Sequence, residues 1–354
     1  MILTQNDIFA IYRLPHSDNR IIIIQNSKEN ILFNENSFNK KGFVFYPFST
    51  ENHPAIFINA DEIHINKNFD LRIENINNSI DITKREYLKK IKFFVEEIKN
   101  GYRKIVLSRT KSLKKDSFDL FRLFIELDNS YSNAMIFLIN HPLAGTWMGA
   151  TPEILIEKND YSLKTMALAG TQFVSDPDSV TWEHKELDEQ KAVMEFIEDI
   201  LSKNKIQFSS EGPVTKIAAK NTDGYLVHLA TYYQTKQIKD FYNIIMELHP
   251  TPAVSGLPKE KAIKYILENE GYDRKYYTGF LGPVNIEESN TAELFVNLRS
   301  MEIFKNKFLL YLGGGLNKDS IPIKEWEETE NKSKTLVQII ESLHKKIKFP
   351  MQET

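Results

Sequence analysis

The chain has 354 residues, 42% of them apolar and 26% charged, with a formal net charge of −3. That balance is ordinary for a folded chain long enough for a substantial core, and it gives no reason to expect nucleic acid or an anionic membrane as a partner. The absence of cysteine excludes disulfides, thiolate metal sites and cysteine nucleophiles together, so any metal must rest on carboxylates, histidines, carbonyls or water.

No apolar run approaches the ~18 residues that span a bilayer. The N-terminal MILTQNDIFAIYRLP has no basic region and Asp7 interrupts its apolar stretch, so no signal peptide is expected and a cytoplasmic protein is the simplest fit. Short β-like runs follow at IIII (21–24), FVFYPF (43–48) and AIFI (55–58). Thr83-Lys84-Arg85-Glu86 has the capping-box pattern, and Tyr87, Leu88, Ile91, Phe94, Val95 and Ile98 recur at helical spacing before Gly101. A strand opens directly after this helix at Lys104-Ile105-Val106-Leu107, with Lys104 on the same face as Val106 and Ser108. A helix at about 117–127 precedes strands at 134–139, 146–150, 153–157 and 162–168. Helices are expected near 182–203, 223–235, 240–248 and 258–270, then strands at 278–284, 293–304 and 307–312, the last two joined by a turn at Lys305-Asn306. Gly313-Gly314-Gly315 is expected to end the last strand, and Pro322 to open a long final helix. Consecutive strands with short links favour antiparallel pairing, so the expected class is α+β, with large, mainly antiparallel sheets and helices packed outside.

Several residues sit where their chemistry is unusual. Most strand lysines snorkel into solvent, so Lys104 at the mouth of an apolar run is notable only if that face is buried. In the helix at 182–203, the stripe Val193, Phe196, Ile200 projects back onto Glu189. In the last helix, Leu336, Ile339 and Leu343 project back onto Lys332 and Glu328. An acidic residue near a helix N-terminus can simply offset the helix dipole in solvent; two of them can also hold Mg²⁺ together with waters and an anionic substrate. Gly313 to Gly315 leave backbone N–H groups bare for a carboxylate or phosphate, although glycine runs are commonly just turns, and neither a P-loop nor a dinucleotide fingerprint is present. Arg299 within an apolar strand implies a bidentate anion or an internal ion pair, and His249 in ELHPTPAVSG stands at a helix end, where it is a cap as readily as a ligand.

Nine segments in order carry a resemblance: KIVLSR (104–109), GATPEIL (149–155), LAGT (168–171), ELDEQKAV (186–193), LHPTPAVSG (248–256), YYTGFLGPV (276–284), LFVNLRS (294–300), LGGG (312–315) and EWEETENK (325–332). With these the chain resembles the chorismate-utilising enzymes, and among them the isochorismate synthase branch. The resemblance implies a chorismate-binding catalytic core over 82–350, with residues 1–81 as a variable β-rich region packed on the same domain. It implies water addition at C2 of chorismate with loss of the 4-hydroxyl, Lys104 acting as general base and Glu153 as general acid. A lysine can be that base only with a pKa well below its usual ~10.4, for which burial is the simplest cause. The same matching implies Mg²⁺ held by Glu189 and Glu328, with Glu325 supporting it, and a substrate site lined by Gly170, His249, Arg299, Gly313 and Lys332.

Ammonia-using relatives typically carry glutamine in place of Lys104 and an L-V-D-L-x-R-N-D segment; this chain has VMEFIEDIL there, so no glutaminase partner is expected. The covalent lysine of a P-I-K-G-T segment is missing too, since Ala169 stands in its place. One departure touches the glycine loop: the family's A-G-A-G reads Leu312-Gly313-Gly314-Gly315 here, which puts a bulkier side chain in that wall. The alternatives are a salicylate synthase, which adds pyruvate elimination in the same pocket, and a chorismate-binding protein without catalysis. A monomer serving menaquinone or siderophore biosynthesis is the expectation that accompanies the resemblance.

Overall fold

The strand Ile8–Arg13 is buried along its length, and its alternating side chains serve two cores. Ile8, Ala10 and Tyr12 join one apolar cluster, while Phe9 and Ile11 join another. This two-sided burial follows from the architecture of the computed structural model, which describes residues 1–348 apart from 116–118, 161, 222–223, 237 and 239. Two large antiparallel sheets pack against each other, and helices cover their outer faces.

The nine-stranded sheet runs Gly256–Leu257, Lys104–Lys114, Lys307–Leu316, Ser300–Ile303, Gly145–Thr151, Met135–His141, Ile8–Arg13, Ile21–Gln25 and Glu62–Ile65. The eight-stranded sheet runs Phe208–Asn221, Gly224–Lys236, Ser162–Val174, Ile154–Asn159, Thr291–Val296, Phe280–Val284, Gly42–Tyr46 and Ile56–Asn59. Strands from residues 1–81 are hydrogen-bonded into both. Between the sheets lies a cluster that includes Tyr12, Phe43, Phe45, Phe137, Trp147, Phe295 and Tyr311. Helices Leu120–Ser130 and Pro322–Lys348 cover the outer face of the nine-stranded sheet, and His184–Lys203 and Phe241–Leu248 that of the eight-stranded sheet. Helix Lys84–Ile98, whose Thr83–Glu86 capping box has both of its hydrogen bonds, packs with Lys259–Asn269 against the strand that begins at Lys104. Among the described residues no helix is long and apolar enough to cross a membrane.

The structure revises three expectations. The segment predicted as a helix at 223–235 is the strand Gly224–Lys236, paired with Phe208–Asn221 on one side and Ser162–Val174 on the other. Its centre is apolar on both faces because it lies between two strands and under a helix, so it shows no two-residue alternation until Tyr232. The predicted strand at 293–304 is two strands belonging to different sheets, broken at Arg299, which has a φ of +49°. Gly313 to Gly315 do not end the last strand; they lie inside it, opposite Ser108, Leu107 and Val106.

That break at Arg299 is one half of a double crossover. Gly145–Thr151 pairs with Ser300–Ile303 in one sheet, and the continuations Ile154–Asn159 and Thr291–Val296 pair in the other. Both chains therefore change sheets at the same level, one through Pro152-Glu153 and the other through Asn297 to Arg299. The Ala150 N–H donates to the Arg299 carbonyl (3.1 Å), the Val296 N–H to the Glu153 carbonyl (2.9 Å), and the Thr151 hydroxyl to the Val296 carbonyl (2.6 Å).

Candidate active site

Lys104 does not snorkel. Strands Gly256–Leu257 and Lys307–Leu316 flank it, and its residue surface is only 4% exposed. Among the described residues, the one carboxylate within 4 Å of its Nζ is Glu189, whose Oε1 stands at 3.9 Å, past hydrogen-bond reach. Its side chain lies across Gly315. A Cβ there would overlap Lys104 Cε and fall 2.8 Å from Glu189 Oε1, so this glycine makes room for the amine.

Lys104 faces a cavity whose atom-free space, mouth included, is about 730 Å³. The double crossover delivers Glu153 and Arg299 to the same cavity. Burial raises the Glu153 carboxyl to about 7, against the opposing charges of Lys104, Lys216, Arg299 and Lys332, so the group can hold a proton near neutral pH. Lys216 is close by, donating to the Pro152 carbonyl at 2.8 Å.

Gly170 has a φ of +68° and sits where the register of strands Ser162–Val174 and Gly224–Lys236 shifts by one residue, a β-bulge. Its carbonyl accepts from His228 Nδ1 at 2.8 Å. That bond fixes the proton on Nδ1 and leaves Nε2 to accept from Arg299 Nη2 at 3.0 Å. Burial, with the adjacent Arg299 charge, holds the ring well below its usual pKa and thus neutral. His228 escaped sequence reasoning because the segment around it reads as a helix; its signal was a lone histidine in an apolar, β-branched run.

Glu189 and Glu328 also reach the cavity, from different helices. The buried face of helix His184–Lys203 includes Gln190, Val193, Ile197 and Ile200, with Phe196 only partly covered, and in Pro322–Lys348 it is Ile340 more than Ile339 that is buried with Leu336 and Leu343. These shifts of one residue leave both glutamates on the cavity side. Lys332 Nζ donates to Glu328 Oε1 (2.6 Å) and to the Gly313 carbonyl (3.0 Å). Burial pushes the Glu328 carboxyl up, but Lys332 and Lys185 outweigh it and hold it below the ordinary value. Glu325, paired with Lys185 at 2.7 Å, is raised by burial and by the Glu328 charge.

Among the described residues, two carboxylate oxygens here, Glu189 Oε1 and Glu325 Oε2, are buried without a hydrogen-bond partner. Hard, unsatisfied oxygens of this kind fit a magnesium ion. Among the described residues no three acidic or histidine side chains are grouped tightly enough to hold a cation alone, so such an ion would need water and a substrate oxygen as well.

Of the residues singled out from sequence, Lys104, Glu153, Gly170, Glu189, Arg299, Gly313, Glu328 and Lys332 line this one cavity, and Leu312 forms part of its wall. The structure places His249 elsewhere. Its ring Nε2 lies 3.1 Å from the Pro47 carbonyl, edge-on to Tyr46 and Phe280, and burial with the Lys259 charge lowers it to about 3. It stands outside the cavity lining as a neutral, packed ring that ties the 250s loop to the strands Gly42–Tyr46 and Phe280–Val284.

A family model described as a chorismate binding enzyme matches residues 51–341. Isochorismate synthase MenF of Haemophilus influenzae is 30% identical over 253 residues, covering 69% of this chain and 57% of that protein. Isochorismate synthase EntC of Escherichia coli K12 is 29% identical over 249 residues, covering 67% of this chain and 62% of that protein. The matched stretch thus spans less than two thirds of either relative. In fold, the chain resembles the putative 2,3-dihydroxybenzoate-specific isochorismate synthase DhbC of Bacillus anthracis (TM-score 0.78, 24% identity, 95% of this chain and 96% of that one). It also resembles the menaquinone-specific isochorismate synthase MenF of Escherichia coli (TM-score 0.77, 19% identity, 95% of this chain and 89% of that one).

Proposed function

Because the chain belongs to the chorismate-binding enzyme family, we propose that it is an isochorismate synthase, converting chorismate to isochorismate by adding water at C2 with loss of the 4-hydroxyl. The observation that carries this reading is a buried lysine, Lys104, sharing one cavity with a carboxyl, Glu153, that burial keeps protonatable near neutral pH. A water nucleophile needs a base, and a departing hydroxyl needs an acid; the cavity offers one candidate for each.

In this mechanism Lys104 takes a proton from water as its oxygen bonds to C2. The ring double bonds shift, the C4–O bond breaks, and Glu153 passes its proton to the leaving hydroxyl. Arg299, fixed by His228 and by Thr335 Oγ1 at 3.3 Å, and the backbone around Gly313 suit the substrate carboxylates. Glu189 and Glu328, supported by Glu325, would hold a Mg²⁺ ion, which would supply positive charge to the ring carboxylate. This chemistry requires no glutaminase partner, and a soluble monomer is sufficient for it.

Incubation with chorismate and Mg²⁺, followed by product analysis, tests the reading. Isochorismate without pyruvate is expected. Stoichiometric pyruvate without a lyase partner would replace this reading with a salicylate-forming one, and binding without turnover would leave a chorismate-binding protein.

Two further results are expected. Glu328→Gln should raise the Mg²⁺ concentration needed for half-maximal activity by about 10–100-fold, with a matching loss in calorimetric Mg²⁺ affinity. An unchanged metal dependence removes Glu328 from the ion. Activity should also fall as pH rises through about 7, where Glu153 loses its proton. Lys216→Met removes a positive neighbour that opposes that proton, so the alkaline limb of kcat should move to higher pH. A pH–rate profile with the limb unmoved or shifted down assigns the acid to another group.

A further inference from the structure

The strand that begins at Lys104 is supported unequally on its two edges. On one edge it pairs with Lys307–Leu316 from Ile105 to Lys114, whereas on the other the two-residue strand Gly256–Leu257 faces only Lys104 and Ile105. That short ladder closes with the Val106 N–H donating to the Ser255 carbonyl at 2.8 Å, and among the described residues no strand continues it. Two side chains continue it instead. Arg274 Nη2 donates to the Val106 carbonyl at 2.9 Å, and Glu270 Oε1 accepts from both the N–H and the hydroxyl of Ser108, each at 2.6 Å. The two side chains are themselves joined by paired bonds, Nε to Oε2 at 2.6 Å and Nη2 to Oε1 at 2.7 Å, and each residue is only 3% exposed. The remaining guanidinium nitrogen, Nη1, donates to the Val254 carbonyl at 2.8 Å and to the Thr278 hydroxyl at 3.3 Å.

Val106, Val254 and Thr278 all line the main cavity and come from separate stretches of the chain, while Glu270 and Arg274 are not among its lining residues. A buried ion pair is weak grounds for stability, because apolar side chains of similar volume can hold a core as well. Apolar side chains cannot bond the edge of a strand, and this pair does so two residues from the lysine that opens it. From this geometry we infer that Glu270 and Arg274 are positioning residues. Together they stand in for a missing strand, and so fix the height of Lys104 against the walls at Val254 and Thr278. The inference rests on the isochorismate synthase reading, in which the placement of the Lys104 amine limits the rate.

Two variants of the full chain test it. Arg274→Lys keeps the charge but loses the fork, so it cannot hold Glu270, Val106 and Val254 at once. Glu270→Gln combined with Arg274→Met buries no charge, keeps an acceptor for Ser108 and removes the bonds to Val106 and Val254. In each, kcat should fall by about 10- to 100-fold while KM for chorismate stays near the wild-type value, because a reacting group is displaced and the groups that hold substrate are not. Amide hydrogen exchange over residues 104–108 should quicken by about tenfold or more, with exchange in the interior strand Met135–His141 unchanged. Wild-type kcat in either folded variant overturns the inference. So does a loss of kcat that follows the folded fraction, with faster exchange in both segments, and so does failure of both variants to fold; these last two results assign the pair to stability alone. The wild-type product assay stands apart: no isochorismate from wild-type protein sinks the enzymatic reading, whereas an active wild type with equally active variants sinks the positioning role alone.

Discussion

Lys104→Gln is expected to lower kcat by about 10³-fold or more while leaving chorismate binding and the thermal transition nearly unchanged. The substitution keeps a polar side chain of similar reach at the mouth of the strand but removes the amine proposed to accept a proton from water. A loss of that size is about 4 kcal/mol of transition-state stabilisation, more than uniform weakening of substrate binding would take from kcat. The fold should survive because Ile105 and Leu107 anchor the strand among the helices Lys84–Ile98 and Lys259–Asn269, and among the described residues the one carboxylate near Lys104 Nζ, Glu189, stands past hydrogen-bond reach at 3.9 Å. Steady-state kinetics with a calorimetric binding isotherm and a melting curve checks all three parts. Normal turnover would return Lys104 to the status of an ordinary strand lysine.

Gly315→Ala should lower kcat by about 10²-fold without replacing any titratable group. The backbone of Gly315 lies in ordinary strand geometry, paired with Val106, so alanine brings no conformational penalty of its own. Its methyl group would instead occupy the space of Lys104 Cε and crowd Glu189 Oε1, forcing the amine out of line. Displacing a reacting group by about 1 Å is enough to cost on the order of 10²-fold in rate. Gly314→Ala is the internal control, because its Cβ would stand 3.4 Å from Glu328 Oε1 and can be accommodated. Comparable kcat values for the two variants would show that the glycine run matters as a whole and not as clearance for Lys104.

Much of this site was legible in the sequence because its residues break local rules. A lysine opening an apolar strand, glutamates projected from apolar helix stripes and a triple glycine are anomalies that no packing argument calls for, and all of them meet in one cavity. The misses trace to long-range context that no local pattern reports. The run around His228 is apolar on both faces because it is covered on both, and this erases the two-residue rhythm that marks a half-exposed strand. Losing the strand lost the histidine. The break at Arg299 was hidden for a related reason: a left-handed residue other than glycine or asparagine carries no local signal, and only pairing with the Gly145–Asn159 segment, far away in sequence, sets where the chain must turn. His249 was the converse case, a polar residue beside prolines whose partner, the Pro47 carbonyl, lies about two hundred positions upstream.

The paired crossover at Glu153 and Arg299 has a mechanical consequence. Two adjacent strands leave one sheet for the other side by side, stitched by three hydrogen bonds, so the sheets can neither slide nor splay at that seam. Glu153 and Arg299 thus sit on a stitched seam, whereas Glu189 and Glu328 are carried by the outer helices His184–Lys203 and Pro322–Lys348. Any change in cavity width that leaves those three bonds intact would shift the two helix-borne glutamates relative to a fixed Glu153.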